Sequence, residues 1–274
     1  MSINKSNYNI FYRKQPGMMT ELELLSAQKY FHCVNSRMLC QDNSIVIPRY
    51  SLWPYAKELE LDLSYKNCKL INSYSQHRYV ADLREYYQDL SDLTPRTWFR
   101  MEDVPDNVGP VILKGETKSR KDKWNKLMYA ENKKSAIEVY SELLDDGYLE
   151  GQNIYIREYV PLKKLMNDPF GGAPITKEFR FFVFNKKVVA SGFYWSNFVE
   201  DLDIVPNPTE IPLSFLNKVI SVVDDKINFY VIDVAETNSG EFIVVELNDG
   251  CSAGLSECKP DELYKNMKKI LTIY

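Results

Sequence analysis

Two segments near the end of the chain carry side chains that bind hard cations. FYVIDVAET places Asp233 in mid-run, and EFIVVELNDG places Glu246 and Asn248 at its end. Both runs are rich in β-branched and aromatic residues, and Asn238-Ser239-Gly240 between them is turn chemistry, so together they read as a β-hairpin. Residues two apart on a strand share a face, which sets Glu246 beside Asn248. Folding about Ser239-Gly240 brings Asp233 near Glu246 across the ladder, within reach of one shared ion. Two carboxylates and an amide oxygen suit a partly hydrated Mg²⁺ that bridges phosphate oxygens. The same residues also fit a plainer reading, in which Asp and Asn start a turn and Asp233 is a solvated edge residue.

Lys114 ends the apolar run PVILK, ahead of a glycine and a loop holding Lys118, Arg120, Lys121 and Lys123. A lysine so placed can meet phosphates, although most basic runs are only solvated faces. The loop lacks the Gly-x-x-x-x-Gly-Lys-Ser/Thr pattern of a P-loop. In KEFRFFVF, Glu178 and Arg180 share one face and the phenylalanines fill mostly the other. An inward arginine beside carboxylates fits phosphate or acyl-phosphate stabilisation, and a cross-strand salt bridge fits either residue alone. The run IYIREYVPL stops at a proline and can offer backbone groups to an adenine edge. An ordinary core strand accounts for its apolar residues but not for Arg157 and Glu158 inside it.

These residues need a scaffold. The first twenty or so residues are mixed and polar and read as an arm. A helix begins after Thr20, where Glu23 completes a capping box. The run 44–48 reads as a strand leaving its sheet at Pro48, 69–72 as a second short strand, and 53–63 and 76–88 as helices. A small α/β lobe over the first hundred residues follows. Strands at 110–114 and 153–160 flank a helix at 134–145 that is capped at Gly147. Strands then fill 178–184, 188–195, 229–237 and 241–247, with a hairpin at Asn185-Lys186-Lys187, and helices fill 214–225 and 260–270. The fold class is α+β, its larger sheet antiparallel and packed by helices on one side. Residues 165–176, with Gly171-Gly172, read as a loop that could serve as a lid or lie inert at the surface.

Composition narrows the class. The chain has 274 residues, 45% hydrophobic and 26% charged, with 19 tyrosines, which is globular rather than disordered. A net charge of −4 argues against a broadly basic nucleic-acid binder. No apolar run approaches the roughly 18 residues that span a bilayer, and MSINKSNYNIFYRKQPG lacks a secretory signal, so a cytoplasmic protein is expected. Five cysteines without a C-x-x-C read as free thiols. Two histidines, His32 and His77, leave little material for a zinc site or a catalytic triad. Arg49, Tyr50, Gln76, His77 and Arg78 lie near strand ends, where substrate sites of α/β lobes gather. Trp53, Trp98 and Trp195 read as core.

Each segment is ambiguous alone, but their order is not. Lysine strand, basic loop, helix, hinge strand, Glu-x-Arg strand, Asp strand and Glu-x-Asn strand resemble the ATP-grasp superfamily over nearly the whole chain. VVELNDG is similar to its metal-binding Glu-x-Asn, LINSYSQHRYVADL to its Asn-containing segment and LTPRTW to its Pro-x-Thr step. KGETKSRKDKW, YIREYVPL, KEFRFFVF and VIDVAETNSGEFIVVELNDG resemble a divergent two-lysine clade of bacterial and phage proteins related to the eukaryotic chaperone that assembles translation initiation factor 2. The resemblance implies an ATP-grasp fold with a pre-grasp lobe at 1–105, a first nucleotide-binding lobe at 106–162 and a C-terminal lobe at 163–274. It implies ATP and Mg²⁺ as cofactors. Lys114 and a second lysine, Lys121 or Lys123, would contact phosphates, and Glu158 with the backbone of Tyr159 and Val160 would hold adenine. Glu178 would join the nucleotide site, Arg180 would face the γ-phosphate or acyl phosphate, and Asp233, Glu246 and Asn248 would bind the metal. The implied activity is ligation of a carboxylate to an amine, on a peptide or protein, through an acyl phosphate with release of ADP and phosphate. A non-catalytic ATP-binding assembly chaperone and an ATP-dependent RNA ligase are the alternatives.

Overall fold

The computed structural model describes residues 8–13, 19–223 and 225–273. In chain order the elements are β1 (Tyr8–Tyr12), α1 (Glu21–Gln28), β2 (His32–Val34), β3 (Ile45–Arg49), α2 (Ala56–Ser64), β4 (Lys69–Leu70), α3 (Tyr74–Ala81), α4 (Leu83–Leu90) and β5 (Thr97–Trp98). Then come β6 (Val111–Gly115), α5 (Trp124–Leu127), β7 (Tyr129–Ala130), α6 (Lys133–Leu144), β8 (Ile154–Glu158), β9 (Lys164–Met166) and β10 (Ile175–Thr176). The chain closes with β11 (Glu178–Phe184), β12 (Lys187–Phe193), α7 (Leu213–Val223), β13 (Phe229–Glu236), β14 (Phe242–Asp249) and α8 (Pro260–Ile273). Strands join in three four-stranded sheets, ordered β2-β1-β3-β4, β5-β8-β6-β7 and β12-β11-β13-β14, and in the small pair β9-β10.

The sheet β12-β11-β13-β14 positions the site, and its sequence explains how. Phe179, Phe181 and Val183 of β11 face one way, with Tyr230, Ile232 and Val234 of β13 and Val244 and Leu247 of β14; α4 and α7 cover them. Phe182, Phe184, Phe229 and Val231 face the other way, against α8 and the N-terminal sheet. The expectation of helices on one side is therefore corrected: both faces are covered, which is why β11 and β13 read as nearly unbroken apolar runs rather than alternating ones. On the second face the polar residues cluster toward one end. There Glu178 and Arg180 precede Phe182, and Asp233 follows Val231. The β11–β12 turn places Asn185 and Lys186 at φ 44° and 66°, the left-handed pair of a two-residue hairpin.

The N-terminal sheet is parallel throughout, and β1 lies inside it between β2 and β3. This corrects the reading of an arm at the start. Ile10 and Phe11 are buried, and five residues sufficed where the polar flanks hid them. Pro48 lies within β3 opposite Phe11 rather than ending the strand. Thr20 caps α1 as expected, accepting from the Glu23 amide, but Glu23 turns its carboxylate to Arg49 and Tyr264 instead of closing the box. The single helix expected at 76–88 breaks at Asp82, which caps α4 through the Arg84 amide. Helix α6 ends at Asp145, without Gly147 as its cap. Thr97-Trp98, expected with the N-terminal lobe, pairs instead with Arg157 and Ile156 of β8.

Candidate functional site

The sheet carrying β6 and β8 and the sheet carrying β13 and β14 face each other across a cleft of about 300 Å³. That volume is at the lower end for small-molecule sites. Lys114, Lys121, Glu158, Tyr159 and Val160 line it from one side. Glu178 and Glu246 line it from the other. Lys114 Nζ donates to Glu246 Oε2 at 2.7 Å, with both side chains largely buried. Burial alone would raise the Glu246 pKa, but Lys114 and Lys121 outweigh it and hold that carboxyl well below the usual range.

Asp233 stands directly opposite Glu246, as expected, but by a route the sequence did not show. Counting back from the turn, Glu236, Ala235 and Val234 pair with Phe242, Ile243 and Val244, so Asp233 would next meet Val245. The register shifts there, and Asp233 pairs with Glu246 instead. Val245 is the extra residue of a β-bulge, which lets Val244 and Leu247 both enter the core although three positions separate them.

Asp233 is fully buried, and both its oxygens are engaged. Arg180 grips it through Nε to Oδ1 at 2.9 Å and Nη2 to Oδ2 at 2.7 Å, and sends Nη1 to the Gly254 carbonyl at 2.8 Å. Asn248 Nδ2 donates to Asp233 Oδ2 at 2.9 Å and to Glu246 Oε1 at 3.3 Å. The Arg180 guanidinium stays charged because Asp233 outweighs the cost of burial. Glu178 differs: it is 2% exposed and its Oε1 has no partner among the described residues. Burial pushes its pKa up to about 7, with Asp233 and Glu246 adding to the rise against the pull of Lys121 and Arg180. Hard oxygen donors on Glu246 and Asn248 beside a buried, unpartnered carboxylate oxygen form a donor set that fits Mg²⁺.

Of the two candidate second lysines, only Lys121 reaches the cleft; Lys123 is exposed and outside it. Lys121 Nζ donates to Tyr194 Oη at 3.0 Å and lies 4.4 Å and 5.0 Å from the Tyr194 and Trp195 ring centres. The segment 165–176 is a short hairpin, β9 against β10, whose tip docks on the basic loop: Ala173 N–H donates to the Lys121 carbonyl at 2.9 Å. Gly172 serves that contact, since a Cβ there would stand 2.8 Å from the same carbonyl. At the hinge, Glu158 and Tyr159 spend their amides on the carbonyls of Arg96 and Pro110. Trp124, Met128, Ile112 and Ile243 give this end of the cleft its apolar walls.

Sequence reasoning missed Tyr194, Trp124 and Arg157, and placed Trp195 in the core when it lines the cleft. Tyr194-Trp195 directly follow β12, so their place at a strand end was the available signal. The polar groups expected at the N-terminal strand ends are tied into the structure. Arg49 binds Glu23 and the carbonyls of Gly250 and Ala253, Gln76 completes the α3 cap, His77 binds Asp249 and Arg78 binds Glu85. Trp53 stacks on Tyr74 at 5.8 Å, and Trp98 is buried as expected. The cysteines of the described residues are free. No helix among those residues is long and apolar enough to cross a membrane.

No curated protein matches the sequence. Several solved structures share the fold. D-cycloserine synthetase DcsG superposes with a TM-score of 0.61 at 13% identity, covering 96% of this chain and 99% of its own. The ATP-grasp ligase PsnB, complexed with minimal precursor, Mg and ADP, gives 0.58 at 10% identity over 98% and 99%; the same ligase has been solved with precursor peptide PsnA2 and AMPPNP. D-alanine–D-alanine ligase from Bacillus anthracis, complexed with ATP, gives 0.56 at 10% identity over 98% and 99%. Likeness at such identities speaks for the fold. Residues 101–267, more than half of the chain and including the whole of the cleft's basic and acidic rows, match a family described as an ATP-grasp domain, the third family of its clade, and the chain belongs to that ATP-grasp family.

Proposed function

We propose that the chain is an ATP- and Mg²⁺-dependent ligase that activates a carboxylate as an acyl phosphate and joins it to an amine, on a peptide or protein substrate. One observation carries this reading: a cationic side, Lys114 and Lys121, confronts an acidic row, Glu178 and Glu246, across a cleft with an apolar end. The membership in an ATP-grasp family supports it, and the precursor peptide bound to PsnB supports the peptide class of substrate.

The roles follow from placement. The apolar walls around Trp124 and Met128 take the adenine, and the Val160 amide is the backbone donor at the hinge, since those of Glu158 and Tyr159 are spent. Lys114 and Lys121 bind phosphate oxygens, with Lys121 rather than Lys123 as the second lysine. Glu246 and Asn248, with Glu178 beside them, would hold Mg²⁺, which supplies charge neutralisation on the phosphates. Asp233 keeps Arg180 and Asn248 in place more than it offers a free oxygen. A substrate carboxylate oxygen attacks the γ-phosphorus, the bond to the β-phosphate oxygen breaks, and ADP leaves. The amine then attacks the acyl carbon and phosphate departs, with Arg180 facing the developing negative charge. The lobe division at residues 105 and 162, a cytoplasmic location and the kinship with the initiation-factor assembly chaperone belong to the same proposal.

The test combines binding and trapping. Calorimetry should show Mg²⁺-dependent ATP binding that Glu246→Gln with Asn248→Ala abolishes. With peptide substrates, ATP and hydroxylamine, an acyl hydroxamate and ADP should accumulate. Binding without any turnover would replace the ligase with an assembly chaperone; no binding at all by the folded native chain would remove the nucleotide site itself.

A further inference from the structure

We propose that Arg157 is a positioning residue for the metal–nucleotide site, acting through the Val245 bulge; this rests on the ATP-dependent reading above. Arg157 lies in β8, on the opposite sheet from β14, and is 6% exposed. Among the described residues no carboxylate forms an ion pair with it. Its Nη1 donates to the Val245 carbonyl at 2.6 Å and its Nη2 to Thr94 Oγ1 at 2.6 Å, while its Nε has no partner. Thr94 Oγ1 in turn donates to the Val244 carbonyl at 2.7 Å, and the Val244 amide donates to the Leu93 carbonyl at 2.7 Å.

A buried guanidinium is costly, and interlobe packing alone is served as well by an apolar side chain. What this one holds is the carbonyl of the extra residue in β14. A bulge leaves its residue out of the ladder, so that carbonyl needs a partner from elsewhere. The peptide plane carrying the Val245 carbonyl also carries the Glu246 amide, so its tilt sets how Glu246 leaves the strand. Arg157 and Thr94 therefore fix the one irregularity that puts Glu246 opposite Asp233 and within 2.7 Å of Lys114. Because Arg157 rides on the Lys114 sheet, the contact also sets the spacing of the two sides of the cleft.

The discriminating variants are Arg157→Lys and Thr94→Val, the second of which removes the neutral half of the link without burying or deleting a charge. Calorimetric ATP affinity is measured with and without Mg²⁺, alongside thermal unfolding. In both variants the gain in affinity that Mg²⁺ confers should shrink roughly tenfold or more, the scale of one charged hydrogen bond, with metal-free ATP binding little changed. Arg157→Lys, which keeps the charge but reaches one acceptor, should fall further than Thr94→Val. Lower unfolding temperatures with an unchanged Mg²⁺ gain would make Arg157 a structural clasp and overturn the proposal. If the native chain binds ATP without any Mg²⁺ gain, the metal reading of the site fails first, and the proposal with it.

Discussion

Lys114 Nζ and Glu246 Oε2 lie 2.7 Å apart although 132 positions separate them in the chain and each belongs to a different sheet. The pair joins the two sides of the cleft with side chains only 11% and 21% exposed, so salt screens it far less than a surface ion pair.

Lys114→Met should weaken ATP binding by roughly 10–100-fold, the range expected for one charged hydrogen bond to an anion. Calorimetry with Mg²⁺-ATP reads this directly. An affinity within about twofold of native would remove Lys114 from the phosphate site.

Glu178 ties stability to pH. Burial raises its pKa from the ordinary 4.5 to about 7, so the fold favours the protonated form. The native chain loses stability as pH climbs from about 4.5 to 7 and carries the full penalty above that. Glu178→Gln, neutral and of the same shape, should match native stability at pH 4 and exceed it at pH 8 by roughly 3 kcal/mol at most. Urea unfolding at both values checks the sign. A gap of equal size at the two pH values would mean Glu178 does not titrate in this range.

Arg180 and Asp233 form a buried pair with bidentate geometry. Removing one partner strands the other charge, so Arg180→Ala should cost roughly 3–5 kcal/mol. Combining it with Asp233→Asn should recover a good part of that loss. Denaturant midpoints of the single and double variants decide it, and simple additivity of the two losses would show that the pair is not coupled.

Gly172→Ala probes the docked hairpin. The new Cβ would meet the Lys121 carbonyl at 2.8 Å and Asp168 Oδ2 at 2.4 Å, so the tip must lift from the basic loop. Proteolytic cleavage within residues 163–177 should accelerate several-fold, because local opening governs such nicking, while global unfolding stays close to native. Unchanged cleavage would show that the tip is held by other contacts.

Much of this architecture was legible because local chemistry and tertiary placement agree. Alternation in KEFRFFVF placed Glu178 and Arg180 on one face, and the turn at Asn185-Lys186 announced its own hairpin. The Glu-x-Asn pair declared its shared face through the two-residue period. What escaped notice depends on partners distant in sequence. The bulge at Val245 is invisible in EFIVVELNDG, since only the packing of Val244 and Leu247 against one core reveals the extra residue. Strand β1 is five residues whose burial is decided by β2 and β3. The choice of Lys121 over Lys123 rests on where Tyr194 and Trp195 lie, more than seventy residues later.

The two-sided burial of the β12-β11-β13-β14 sheet bears on how members of this family can vary in length. Glu178 and Arg180 share a strand face with Phe182 and Phe184, and their neighbours Phe179, Phe181 and Val183 fill the opposite core. A single residue inserted within β11 would exchange those faces, turning two charges into a hydrocarbon interior and three apolar side chains toward the cleft. Insertions and deletions should therefore be confined to the turns at 185–186 and 238–240 and to the loops beyond the strand ends. The reaction machinery is inherited as a block of fixed length, and new substrates are acquired by reshaping the loops around it.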